Sequence, residues 1–97
     1  MTELSAADAA VREARAAEAQ TYAPVELRFA EDKLSRARSA ADAEEYTLAI
    51  ELAAQAQVDG ELAEAKSLAA RARAEVRQKT EENARMSREL RGEGERP

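Results

Sequence analysis

The chain has no cysteine, no histidine and no tryptophan among its 97 residues. Without cysteine it forms no disulfide and performs no thiol chemistry. Without histidine it lacks the residue that most often serves as general base or metal ligand. Its serines lie in polar helical stretches, and the sequence places no base beside them. We therefore expect a protein that is not an enzyme and that holds neither a cofactor nor a specific metal ion.

Large apolar side chains are also scarce. Only 3% of the residues are aromatic, and most of the 44% that are apolar are alanine. Alanine is the best helix former, but it buries little surface per residue. No run approaches the roughly 20 apolar residues that span a bilayer, and no signal peptide is visible at the start. The composition indicates an all-α protein with a thin core, and residues 1–91 are expected to form a single helical domain.

Charge is divided unevenly along the chain. Residues 1–65 carry a large acidic excess, residues 66–91 carry a smaller basic excess, and the net charge is −5. The acidic total argues against general nucleic-acid affinity, which depends on neutralising phosphates. The basic segment has two interpretations. It binds an acidic partner, or it is a solvated helix in which pairs such as Glu75–Lys79 balance the charge.

Apolar spacing predicts three helices, over residues 3–20, 24–41 and 43–91. The first, capped by Thr2 or Ser5, carries one face formed by Leu4, Ala7, Val11 and Ala14. The second carries a line at three- and four-residue spacing formed by Leu27, Ala30, Leu34, Ala37 and Ala41. The glycines at positions 92 and 94 end the third helix, and residues 92–97 are expected to form a disordered tail.

Three residues mark the corners between these helices: Tyr22, Pro24 and Tyr46. Proline is favoured at the first position of a helix. At the second corner Asp42 and Glu45 have the form of a capping box, or else the loop extends through Glu44. The two tyrosines are expected to fill the two ends of the alanine-rich core.

Short connections predict an antiparallel three-helix bundle. The first two helices, about 27 Å long, cover the third only to about residue 62. The rest is expected to project as a coiled-coil-like arm. Within the covered part, Gly60 belongs to a line of small residues, and it indicates either close helix packing or a hinge.

The arm keeps an apolar stripe that an isolated helix would bury against a partner. The candidate partner-binding residues are Leu62, Ala65, Ala69, Ala72 and Val76. The competing interpretation is a solvated arm, because alanine is cheap to expose. Phe29 lies off the line of its own helix and is a further candidate interface residue.

Several segments resemble a bacterial family known as DUF4398. They are Tyr22-Ala23-Pro24-Val25-Glu26-Leu27, Lys33-Leu34-Ser35-Arg36-Ala37, Tyr46-Thr47-Leu48-Ala49 and Leu52-Ala53-Ala54-Gln55-Ala56, followed by Asp59 and Leu62-Ala63. The family motif has Gly-Asp before the second tyrosine, where this chain has Glu44-Glu45, so we expect a tighter or more helical turn. The resemblance implies a periplasmic or outer-membrane-anchored protein, with a signal sequence supplied upstream and, in some members, a peptidoglycan-binding domain.

The leading hypothesis is a non-enzymatic interaction or spacer module of the bacterial envelope. It would assemble through its third helix with a protein partner or with another copy. The alternative is a cytosolic regulator that binds acidic ligands or nucleic acid through the basic arm. A third hypothesis, an amphipathic helix at a membrane surface, is weakened by the dominance of alanine.

Overall fold

The computed structural model describes residues 1–92, which form helices joined by short turns. The helices are α1 (Thr2–Ala16), α2 (Ala19–Tyr22), α3 (Pro24–Asp42) and α4 (Tyr46–Leu90). The all-α class is confirmed, but this part of the chain has four helices where the sequence predicted three. The 45 residues of α4 give the molecule its length of 74 Å. Of the predicted tail, residues 93–97 lie outside the described residues.

The extra break lies within the predicted first helix. Helix α1 ends because Glu18 adopts a left-handed conformation with φ 68°. The Glu18 N–H donates to the Arg15 carbonyl at 2.9 Å, which closes the last turn of α1. The chain then restarts as the single turn α2. A left-handed residue is usually glycine, so a glutamate in this role gives no sequence signal for the break.

Pro24 is the first residue of α3. Its missing N–H is not needed there, since the first turn of a helix has no preceding carbonyls to bond. Ala23 precedes it as the N-cap without a capping side chain. The Leu27 N–H donates to the Ala23 carbonyl at 3.0 Å, so the helical pattern begins immediately at this corner.

The second corner differs from the predicted capping box. Asp42 is the last residue of α3, and α4 starts after Glu45, which makes no side-chain cap. The loop extends through Glu44, which is left-handed with φ 62°. The N–H groups of Glu44 and Glu45 donate to the carbonyls of Ala41 and Ala40 at 3.0 and 2.8 Å. This is the usual glycine-type helix ending, so the expected tighter or more helical turn was wrong. The backbone needs the conformation that the motif glycine adopts freely.

Ion pairs between helices show the relative directions in which the helices run. Helices α1 and α3 are antiparallel, because Asp8 pairs with Arg38 at 2.6 Å while Arg15 pairs with Glu31. Helices α3 and α4 are also antiparallel, and Lys33 pairs with Asp59 at 2.7 Å across them. Helix α4 therefore runs parallel to α1, and the three long helices form an up-down-up bundle.

Alanine forms most of the core among the described residues. The larger buried side chains are Val11, Leu27, Leu34 and Leu52. Helix α1 approaches α4 most closely at Gly60, which is buried within an unbroken helix. A β-carbon at Gly60 would lie 3.0 Å from the carbonyl carbon of Ala10. This geometry supports close packing as the role of Gly60 and gives no support to a hinge.

Neither tyrosine fills an end of the core, so that prediction was wrong. Tyr22 is 38% exposed and Tyr46 is 56% exposed. Near Tyr22 the buried residues are Ala19 and Ala23. Small side chains therefore occupy the buried positions at this end of the core.

Candidate functional site

Helix α4 stays in contact with the other helices beyond residue 62, where the predicted helix lengths placed the end of the contact. Ser67 is fully buried, and Arg71 pairs with Glu18 at 3.2 Å. The predicted end of the cover, about residue 62, was wrong because α2 adds a further turn beside α4. We call residues 2–71 the body and residues 72–90 of α4 the arm.

The side of α4 that faces the body loses its apolar character in the arm. Ala63 and Ser67 are buried, and Ala70 and Ala74 are half-buried. The next positions at the same spacing are Arg77, Glu81, Ala84 and Arg88, all exposed. The sequence thus carries a core-forming line only as far as the body extends.

The opposite side of α4 carries no charged residue from Val58 to Leu90. At about 100° per residue, ten side chains between residues 58 and 90 point within about 50° of the direction of Val76. We call this set the outer face: Val58, Leu62, Ala65, Ala69, Ala72, Val76, Thr80, Asn83, Ser87 and Leu90. None of them is charged, and all are exposed. The outer face runs without interruption across the border between body and arm.

The body gives no reason for this uncharged stripe, because the stripe points away from the body. Elsewhere the same segment is rich in glutamate, lysine and arginine. Val76 is 63% exposed and Leu90 is 82% exposed. An uncharged stripe of this length, apolar from Val58 to Val76, is characteristic of a helix surface that packs against another element.

All five residues predicted on α4 lie on the outer face and are exposed. Ala72 and Val76 lie on the arm, whereas Leu62, Ala65 and Ala69 lie on the outside of the body. The predicted list of partner-binding residues ended at Val76 and did not include Asn83 and Leu90, because Lys79 interrupts the three- and four-residue spacing. Extending the spacing past that lysine would have found them.

Phe29 is not part of this surface. It lies on α3, is 55% exposed, and borders a shallow depression with Pro24, Val25 and Arg28. The structure therefore places the predicted interface residues on two separate surfaces, of which the one on α4 is far longer.

Charged side chains border the outer face on both sides, and the two borders differ in sign. We call one border the acidic flank: Glu61, Glu64, Glu75 and Glu82. We call the other the basic flank: Lys66, Arg73, Arg77 and Arg88. By helical geometry each flank lies about 60–120° from the centre of the outer face.

Each flank contains one residue of the opposite sign, and each exception is balanced within the chain. Lys79 lies on the acidic side, and its ammonium contacts Glu75 at 3.2 Å. Asp59 lies on the basic side and pairs with Lys33 at 2.7 Å. Within residues 1–92, neither Arg73 nor Arg77 contacts a carboxylate. The basic flank therefore retains cations that are free to pair with another molecule.

The carboxylates do not assemble into a metal site in the described part of the chain. Neither the pair Glu61 and Glu64 nor the pair Glu81 and Glu82 belongs to a group of three or more ligating side chains there. A hard cation needs several converging oxygens.

Within residues 1–92, no helix combines the length and the apolar character needed to cross a bilayer.

Comparison with known proteins yields a family and no close relative. Neither the curated proteins nor the solved structures include a match to this chain. The model of a family described as a domain of unknown function, DUF4398, matches residues 2–79. The match begins at the first residue of α1 and continues past Val76, so the first part of the arm is included in it. The chain belongs to the DUF4398 family.

Proposed function

We propose that this chain is a non-enzymatic interaction and spacer module, in which the body holds one end of a long helix and the outer face of α4 packs against a helix of a partner. The body supplies a fixed base through interhelical ion pairs and close alanine packing. The arm extends the reach of the module by about 28 Å beyond that base.

One observation carries the proposal: the outer face is uncharged over its whole length although charged residues surround it. A helix exposed to solvent on all sides has no need of such a stripe. Packing within the body does not explain it, because the outer face lies opposite the buried Gly60, Ala63 and Ser67. A second helix lying along α4 would bury it.

The proposed location is the bacterial envelope, in the periplasm or attached to the outer membrane. This part of the proposal is supported by the resemblance of the corner and turn motifs to proteins of that compartment. A spacer in a peptidoglycan-associated protein would use the length of α4 to separate an anchored end from a binding domain.

The absence of an enzymatic role is also part of the proposal. The chain has no cysteine or histidine, and several of its carboxylates are engaged in surface ion pairs such as Asp8–Arg38 and Lys33–Asp59. These are the groups on which acid–base and nucleophilic chemistry would have to rely.

A second candidate function rests on the basic flank. Arg73, Arg77 and Arg88 lie on one side of the arm and are exposed, which is the arrangement a helix would use to bind an acidic ligand or nucleic acid. The acidic flank opposes this use, because it would face the same ligand wherever the ligand wraps around the arm. Binding to duplex DNA that weakens steeply with salt would favour this second candidate.

In-cell photo-cross-linking tests the interaction module. A photoreactive phenylalanine analogue would replace Ala72 or Val76 on the outer face, in the full-length protein in a bacterium that encodes it. The matched control carries the analogue at Arg85, on the opposite side of the arm and equally exposed. We expect discrete adducts from Ala72 and Val76 and none from Arg85. Equal labelling at all three positions, or no adduct at the outer face, would contradict the proposal.

A further inference from the structure

We infer that the helix packing against the outer face belongs to a second copy of this chain, and that the two α4 helices run parallel and in register. This inference deepens the proposed function and rests on it, because it names the partner of the same surface.

The signs of the flanks decide the direction of the second helix. When two identical helices pack parallel about a two-fold axis, the left border of one meets the right border of the other. The acidic flank of each copy then faces the basic flank of its partner. In an antiparallel pair each flank meets its own counterpart, so Glu75 would approach glutamates and Arg73 would approach arginine. Charges at these bordering positions set orientation in paired helices.

Residue spacing supports the same arrangement. In parallel two-stranded coiled coils, a bordering residue faces the residue five positions later on the partner helix. Glu61 and Lys66 have this spacing, and Lys66 also contacts Glu26 of its own chain at 3.3 Å. Glu75 and Glu82 are followed at the same distance by Thr80 and Ser87, which are neutral. The parallel pair therefore brings together one opposite-charge contact on each side. Lys79, at the heptad spacing of Ala65 and Ala72, is the one cation near the seam, and Glu75 of its own chain balances its charge.

Asn83 adds a preference for register. It is the one amide side chain on the outer face between Val58 and Leu90. In a parallel pair in register the two Asn83 side chains meet and hydrogen-bond, whereas in a shifted register each faces an apolar residue. A single buried asparagine selects register in this way at some cost in affinity.

The body does not obstruct such a dimer. Helix α1 packs against α4 at Gly60, about 160° from the centre of the outer face. Helix α3 packs beside the basic flank, where Lys33 and Glu26 pair with Asp59 and Lys66 at 2.7 and 3.3 Å, and it leaves the outer face exposed. The two bodies therefore sit on the outside of the paired helices, at the same end of the dimer, and the two arms project together.

Engineered cysteines test this arrangement directly, because the chain has no cysteine of its own. Ala65→Cys and Leu90→Cys place single thiols on the outer face about 37 Å apart along α4. Gln78→Cys, on the opposite side of the arm, is the matched control. Each purified full chain would be oxidised alone, and the first two also as a mixture, beside sedimentation of the unmodified chain over a range of concentrations.

We expect the Ala65→Cys and Leu90→Cys chains each to form a disulfide-linked dimer at least about tenfold faster than Gln78→Cys. The mixture should give no link between positions 65 and 90. A link found only in the mixture would mean an antiparallel dimer and overturn the inference while leaving the interaction module intact. A chain that stays monomeric, with no link above the control, would also overturn it. In-cell adducts from Ala72 would then show that the partner is a different protein, and their absence would end the proposed function as well.

Discussion

Helix α4 has two halves that meet different surroundings, and comparing them separates the residues that fold the protein from those that serve another purpose. In the body, the inward side of α4 is alanine, glycine and Leu52, all buried. In the arm the same side carries Arg77 and Glu81, because no helix lies opposite. The outward side does not change at this border. Because the outer face continues past the end of the body, the folding of the body does not require it.

The largest difference between the halves should appear on enlarging an inward-facing alanine. Ala56 is fully buried in the body, whereas Ala84 lies exposed on the arm. We expect Ala56→Leu to lower the free energy of unfolding by about 3 kcal/mol, because the close helices have no room for it. Ala84→Leu should change it by less than about 0.5 kcal/mol. Urea unfolding of both variants measures the contrast, and equal losses would mean that the arm is packed as tightly as the body.

Thr80 and Ser87 belong to the outer face, but in a parallel pair they are the positions that the partner's Glu75 and Glu82 reach, so lysines there should strengthen the dimer. Thr80→Lys combined with Ser87→Lys would place lysines opposite the partner's Glu75 and Glu82. With each contact occurring twice and contributing a few tenths of a kcal/mol, dimer affinity should rise roughly tenfold. Sedimentation equilibrium measures the affinity, with Gln78→Lys plus Glu81→Gln, on the opposite side of the arm, as the control of equal charge change. Weaker association than the control would indicate that like flanks meet.

Removing a serine hydroxyl should change the free energy of unfolding by a smaller amount, and by different amounts in the body and in the arm. The hydroxyl oxygen of Ser67 is buried without a hydrogen-bond partner in the described structure. Removing such a group relieves a desolvation cost, so we expect Ser67→Ala to raise the free energy of unfolding by about 1 kcal/mol. Ser87→Ala on the exposed arm should add only a few tenths of a kcal/mol from helix propensity. Thermal unfolding compares them, and a loss at Ser67 would reveal a hydrogen bond that matters.

The smallest change in stability is expected in the turn that precedes α4. Glu44 holds a left-handed conformation with φ 62°, which disfavours any residue with a β-carbon. We expect Glu44→Gly to stabilise the chain by about 0.5–1 kcal/mol. Glu44→Ala keeps the β-carbon and should give no such gain. Chemical unfolding of the two variants decides the matter, and equal stability would mean that the turn is unstrained.

The sequence predicted the elements that rest on periodicity or on proline. The line through Leu27 and Leu34 is buried, and Pro24 begins its helix. The break at Glu18 was not predictable, because a left-handed glutamate resembles any other helical glutamate in sequence. That miss also shortened the expected cover of α4, since the turn α2 was taken for the end of the first helix. Local propensity does not reveal such turns, which depend on tertiary contacts such as Glu18–Arg71.

The candidate site was predictable in part. The stripe through Leu62, Ala69 and Val76 follows from spacing alone. Its extension to Leu90 was lost because Lys79 occupies one position of the pattern, and its charge is balanced by Glu75. The acidic and basic flanks could be identified only from the structure, because the packing of the body shows which side of α4 is free to pair.

The most direct test of the outer face is the mass of the chain in solution. Light scattering would compare the full 97-residue chain with Ala69→Glu plus Ala72→Glu, which places charge on the outer face. Gln78→Glu plus Arg85→Gln changes the net charge by the same amount on the opposite side of the arm. We predict a dimer for the unmodified chain and for this control, and a monomer of unchanged helical content for the outer-face variant. The same mass for all three chains would contradict the account.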